Sequence, residues 1–171
     1  MLLPLCDLSF RDAFLALARH RSPTDELRCR ALLDLLETCQ VLDRALRREL
    51  EASGLTESGF LVLAHLIPHG PGEGGAHTCL AQTLHLSRPA LAEVLGRLEI
   101  SALVTRRRSL GDRDDLAIMA TDLGREVFSN ALARSVDAFV RAAGTLDDRE
   151  TAVVELAGIR LREAFASDPS L

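Results

Sequence analysis

Lysine is missing from this chain: all 20 of its basic residues are arginine. A GC-rich coding sequence accounts for that bias as well as selection for bidentate phosphate contacts does, so no function rests on it. The glycine-rich run at 70–75 accordingly has no Lys-Ser/Thr behind it, and it follows no strand, which excludes a nucleotide phosphate cradle. Paired cysteines are lacking too. The 4 cysteines, at positions 6, 29, 39 and 79, show no CxxC spacing, which argues against a disulfide framework or a zinc ribbon and leaves reduced, packing thiols. Charge interrupts every apolar segment well short of the roughly 18 residues that a membrane span needs. The opening MLLPLCDLSF is too short and acidic, and has too little arginine, to read as a signal peptide. A cytoplasmic protein without a membrane partner is expected. Nucleophile-elbow, HExxH and paired-acid motifs are absent, and scattered Ser, His and Asp do not make a triad, so neither enzymatic activity nor a cofactor is expected.

What the chain does have is apolar side chains in helical rhythm. Hydrophobic residues make up 47% of 171 positions, enough for a real core in about one domain. Between residues 24 and 51, Leu32, Leu35, Cys39, Leu42, Leu46 and Leu50 recur at spacings of three and four, the mark of a long amphipathic helix that Thr24 can cap. Phe10, Ala13, Phe14, Leu17 and Ala18 form a shorter stripe before it, ended by Ser22-Pro23, so an extra N-terminal helix is expected. Glu57 to Leu66 continue as helix up to Pro68 and the loop-forming run HGPGEGGAH. A further helix is expected over about 122–142 and a last one from Asp147, where Glu150 has capping-box spacing. Val153, Leu156, Ala157, Leu161 and Phe165 share a face of that last helix. So much apolar helix at both ends exceeds what one small monomer can hide, and a two-fold homodimer is expected.

Between these helices, residues 78–124 spell two short helices, a strand, a charged turn and a second strand, the order of a winged helix-turn-helix. Thr78 can cap the first helix and Ser87 the second, with Pro89 in an opening turn where its missing N–H costs little. In such modules the second helix enters the DNA major groove, and the hairpin lies against the backbone or minor groove. Arg88, Arg97, Arg106, Arg107, Arg108 and Arg113 face only Glu93, Glu99 and Asp112 within 87–113, a local +3 in a chain of net charge −5. Positive charge sits where DNA needs it. The candidate DNA-binding residues are Thr78, Ser87, Arg88, Pro89, Ala90, Glu93, Arg97, Arg106, Arg108 and Arg113. Strand alternation assigns Arg106 and Arg108 to one face and Arg107 to the other. The same arginine run could also serve as a solvated edge that blocks aggregation. Glu93 can accept a hydrogen bond from cytosine N4, and Ala90 or Ala92 can meet a thymine methyl.

This stretch resembles the MarR family of bacterial transcription regulators. The likeness runs from Leu55-Thr56 through Leu103-Val104, Asp112-Arg113 and Thr121-Asp122-Leu123-Gly124-Arg125 to Leu146-Asp147-Asp148-Arg149-Glu150, and covers roughly residues 30 to 165. It implies a mainly α fold with a small β-hairpin wing, here with an extra N-terminal helix, assembled as a dimer. Residues 1–54 and 122–171 would be dimerisation helices and 55–121 the DNA-binding module, all in one intertwined domain. The function implied is repression from a palindromic double-stranded operator, relieved by a small molecule or by oxidation. Where the family commonly has Thr, Thr and Arg in the recognition helix this chain has Ala90, Ala92 and Glu93, and the usual wing-tip arginine matches Asp114. Both departures lower the expected phosphate affinity. A small apolar or aromatic effector is expected at the junction of the first long helix, the 56–67 helix and the winged module, with Phe60, Leu63 and His65 in its wall. One alternative is a dimer of this fold that has lost operator binding and acts as an interaction protein. Another is a redox or metal sensor. Cys29, between Arg28 and Arg30, lies near the reactive cysteine of peroxide-sensing relatives, but those relatives stabilise the thiolate with tyrosines and this chain has 0. His65, His69, His77, Cys79 and His85 crowd the glycine-rich loop without short ligand spacings, so no metal is expected.

Overall fold

Seven helices and one antiparallel hairpin account for the described residues, 8–68, 77–108 and 116–167, of the computed structural model. The helices are α1 (Leu8–Arg21), α2 (Pro23–Ala52), α3 (Glu57–Leu66), α4 (His77–Thr83), α5 (Arg88–Ile100), α6 (Asp122–Ala143) and α7 (Asp148–Ser167). The hairpin pairs β1 (Val104–Arg108) with β2 (Leu116–Ala120). The glycine-rich loop and the charged turn carrying Asp112, Arg113 and Asp114 lie outside the described residues. No described helix is long and apolar enough to cross a membrane.

The extra N-terminal helix folds back along α2. Arg11 reaches Asp34 and Glu37, Arg19 reaches Glu26, and Ala18 and Leu33 are buried. The cap of α2 is Ser22 rather than Thr24: its side chain accepts the Asp25 amide at 3.0 Å. Pro23 then occupies the first helical position, where its fixed φ and missing N–H suit a helix start, and Thr24 falls inside the first turn. The expected stripe of α2 divides. Leu50 is buried in the core, whereas Leu32, Leu35 and Cys39 are exposed and Leu33 is the buried residue of the N-terminal half. The Leu33 side faces α1, so among the described residues nothing covers the outward half of the stripe.

One turn type is used three times to aim the elements that follow. After α2, Gly54 N–H donates to Glu51 C=O and Leu55 N–H to Leu50 C=O. The same pair of bonds recurs at His85 and Leu86 after α4, and at Ala102 and Leu103 after α5. These are Schellman closures, which need a left-handed residue and then favour an apolar one. The left-handed residues are Gly54, His85 and Ala102, with φ of 74°, 51° and 57°, and each is followed by a leucine. Leu55 and Leu103 are buried in the core, and Leu86 packs against it.

The winged module is fastened to α6 by the Thr121–Arg125 segment. Thr121 Oγ1 donates to the Ala102 carbonyl at 2.7 Å and accepts the Gly124 amide at 2.9 Å, capping α6 while tying it to the start of β1. A Cβ on Gly124 would lie 2.1 Å from the Leu103 carbonyl oxygen, so only glycine allows this approach. Arg125 Nη1 donates to the Ile67 carbonyl at 3.3 Å, satisfying the end of α3. The capping box of α7 forms as its spacing implies: Asp147 Oδ1 accepts the Glu150 amide at 2.7 Å and Glu150 Oε2 accepts the Asp147 amide at 2.9 Å.

Candidate nucleic-acid interface

Helix α5 is set by its apolar spacing. Leu91, Val94, Leu95 and Leu98 are buried, an i, i+3, i+4, i+7 stripe that presses one face into the core. The opposite face carries Ser87, Arg88, Pro89, Ala92, Glu93 and Arg97, all exposed, with Ala90 half-buried at its margin. Ser87 caps the helix as expected, accepting the Ala90 amide at 3.3 Å. Thr78 does not occupy the cap position: α4 begins one residue earlier, at His77, which places Thr78 in the first turn, and its side chain lies outside the described part. The structure therefore brings Ser87, Arg88, Pro89, Glu93 and Arg97 together on one accessible surface. Glu93 Oε1 lies 3.7 Å from Arg97 Nη1, with both side chains more than half exposed. Such a pair is weak, about 0–1 kcal/mol, but it offsets one of the two arginine charges on this face.

The hairpin stands beside α5. Val104 pairs with Ala120 and Arg106 with Ile118, and Val104, Ile118 and Ala120 are buried, so Arg106 leaves the strand on the core-facing side. Its Nε lies 3.0 Å from Glu99 Oε1 in the last turn of α5. The guanidinium expected at DNA phosphates is thus engaged within the protein. Arg108 is placed by its backbone only, opposite Leu116, and Arg113 lies outside the described residues. Sequence reasoning missed Glu99. The available signal was its position: an acid in the last turn of a helix opposes the dipole and calls for a cation nearby.

The three residues expected to wall an effector pocket lie on α3 in packed surroundings. Leu63 is 0% exposed and part of the core. Phe60 stacks on Phe128 with ring centroids 4.8 Å apart, and His65 is half-buried on the same helix. Among the described residues, one groove of about 360 Å³ lies between α1 and α2, lined by Phe14, Leu17, Arg21 and Cys29, and another of about 260 Å³ lies beside Leu55, Arg97 and Ile100. Cys29 is half-buried, and Cys39, expected to pack, is exposed. Among the described residues no three His, Cys, Asp or Glu side chains are grouped to hold a metal ion.

No protein-family model matches the chain, and no curated protein matches its sequence. Solved structures do. YusO from Bacillus subtilis superposes with a TM-score of 0.72 at 24% identity, over 82% of this chain and 97% of that one. The F27L mutant of MepR from S. aureus, bound to an oligodeoxyribonucleotide, gives a TM-score of 0.61 at 16% identity over 77% and 94% of the two chains. CouR from Rhodococcus jostii RHA1, bound to p-coumaroyl-CoA, gives 0.58 at 26% identity over 78% and 90%. Element order, helix-turn-helix and hairpin together define a winged-helix protein. Its fold is, more particularly, that of the MarR-family transcription regulators, the description borne by another of the matched structures.

Proposed function

We propose that this chain is a sequence-specific DNA-binding transcriptional regulator that acts as a homodimer on a palindromic operator and represses until a small molecule releases it. The observation that carries the proposal is the exposed face of α5 set beside a hairpin wing, in a fold shared with MepR in its complex with an oligodeoxyribonucleotide. Residues 55–121 would be the DNA-binding module, and 1–54 with 122–171 the dimerisation helices of one intertwined domain. Helix α7 supports the dimer: its 20 residues include none that is buried. Most of a helix's stability in a protein comes from packing of its amphipathic face, so this face calls for a second copy. CouR with its bound p-coumaroyl-CoA supports a ligand input for this fold. A ligand at the expected junction here has to displace the Phe60–Phe128 stack, and would release DNA by favouring the non-binding geometry by about 1–3 kcal/mol.

The Glu93–Arg97 pair favours a second reading, a dimer of this fold that retains its interfaces but has lost operator affinity. Selection of duplexes from a random pool, followed by titration at two salt concentrations, separates the two. A selected palindrome bound more tightly at low salt supports the regulator. Absence of binding to any duplex at low salt refutes it and leaves the interaction protein.

A further inference from the structure

We propose that Glu99 and Arg106 form a strut that sets the angle of the wing against α5, so that Arg106 is a positioning residue for DNA binding and not a phosphate contact. The proposal rests on the DNA-binding reading above. The two residues come from different elements, seven positions apart, and between them lies the left-handed turn at Ala102 that redirects the chain from α5 into β1. Backbone bonds fix the near side of that turn, with Ala102 N–H donating to Glu99 C=O at 2.9 Å and Leu103 N–H to Leu98 C=O at 2.8 Å. The far side is fixed where Thr121 holds the carbonyls of Ala102 and Leu103. These ties act at the base of the hairpin. Farther out, Val104 and Ile118 are buried on its inner face, and Arg106, level with Ile118, is with it the outermost side chain described there. Among the described ion pairs and side-chain hydrogen bonds, its contact with Glu99 is therefore the one farthest along the hairpin from its base.

Charge accounting agrees with placement. Arg106 is 37% and Glu99 34% exposed, and they meet at 3.0 Å as an ion pair, so the guanidinium already has a carboxylate counter-charge. An arginine neutralised by a neighbouring carboxylate releases few counterions on meeting DNA. A true phosphate contact adds about one to the slope of log affinity against log salt, and a strut adds nothing to it.

The test uses the full chain and its selected operator, with Arg106→Ala, Glu99→Gln, their combination, and the swap Glu99→Arg/Arg106→Glu. Affinity is titrated across salt concentrations, and amide hydrogen exchange of the hairpin is measured on free protein. Both single variants should weaken binding by roughly two- to fivefold, as expected of a partly exposed pair. The combination should be no worse than either alone, the swap should recover affinity, the salt slope should hold, and hairpin amides should exchange faster in both single variants. Tighter binding by Glu99→Gln together with a shallower slope for Arg106→Ala would identify a phosphate contact and overturn the strut. Unchanged hairpin exchange in both single variants overturns it as well. If wild type binds no duplex, the regulator reading fails separately, and equal, non-additive acceleration of hairpin exchange still decides whether the strut exists.

Discussion

His85 and Ala102 hold left-handed backbone at helix ends where glycine is the usual choice, and each carries a Cβ that this conformation resists. Ala102→Gly should therefore stabilise the fold by about 1 kcal/mol, since the strain relieved exceeds the added chain entropy. A higher urea midpoint with an unchanged slope would show it. Gly124 is the opposite case. Its absent Cβ is what lets α6 approach the Leu103 carbonyl, so Gly124→Ala must push α6 off the base of β1 and should cost roughly 1–3 kcal/mol, as overpacking does. A melting temperature no lower than wild type would refute that close approach. Glu93 matters for affinity rather than stability. Exposed on α5 beside Arg97, it repels phosphates, so Glu93→Arg should tighten binding to any duplex and steepen the salt dependence. Glu93→Gln should instead change preference at a single base pair, by ~1–3 kcal/mol, if the carboxylate accepts from cytosine. Titration of the operator and a scrambled duplex distinguishes these effects.

Helix α1 is joined to α2 by ion pairs as well as by the burial of Ala18 and Leu33. Glu26 takes two hydrogen bonds from Arg19, both at 2.7 Å, and one from Arg30 at 2.7 Å. The Arg19 hydrogen bond holds the Glu26 carboxyl below its ordinary pKa, against the opposing effect of desolvation. A depressed carboxylate pKa stabilises the folded state above the unfolded value, and that contribution is lost as pH falls through the folded one. Acid titration should accordingly release α1 from α2 below the ordinary carboxylate range, and Glu26→Gln should remove that pH dependence. Exchange of the α1 amides, followed from pH 7 downward, reports it. At the other end of the chain the proposed dimer assigns α7 a partner. Val153, Val154 and Phe165 are 60%, 54% and 57% exposed. Val153→Glu with Phe165→Glu should yield monomer with reduced helix content, whereas wild type should bury more than the ~1,200 Å² of weak interfaces. Light scattering at micromolar concentration checks both, and a wild-type monomer would refute the dimer.

Across the whole molecule the distribution of charge matters more than its total. The net charge is −5, yet Arg88 and Arg97 stand on the exposed side of α5, so the proposed regulator would draw DNA to a local patch against an overall repulsion. Binding should weaken steeply with salt. Asp114→Arg adds charge at the position matching the family's wing-tip arginine and should tighten binding to operator and scrambled duplex alike. Equal affinity of wild type and Asp114→Arg for both would count against contact between wing and DNA.

The extents of α3 and α6, the order of α4, α5 and the two strands, the Ser87 cap and the Asp147–Glu150 box were all legible in the sequence, because apolar spacing and short-range capping depend on residues a few positions apart. The left-handed turns at His85 and Ala102 were not, since neither residue type announces a positive φ. The exposed half of the α2 stripe was also hidden, because periodicity shows that a face is apolar without showing whether α1 or a second copy covers it. Leu63 and Phe60 read equally well as pocket wall or core, and only packing in three dimensions filled the space between α3 and α6. Arg106 makes the same distinction most sharply. Its charge and its place in a strand were local facts, whereas its pairing with Glu99 depended on a turn that folds β1 back across the end of α5, and that turn is a tertiary choice.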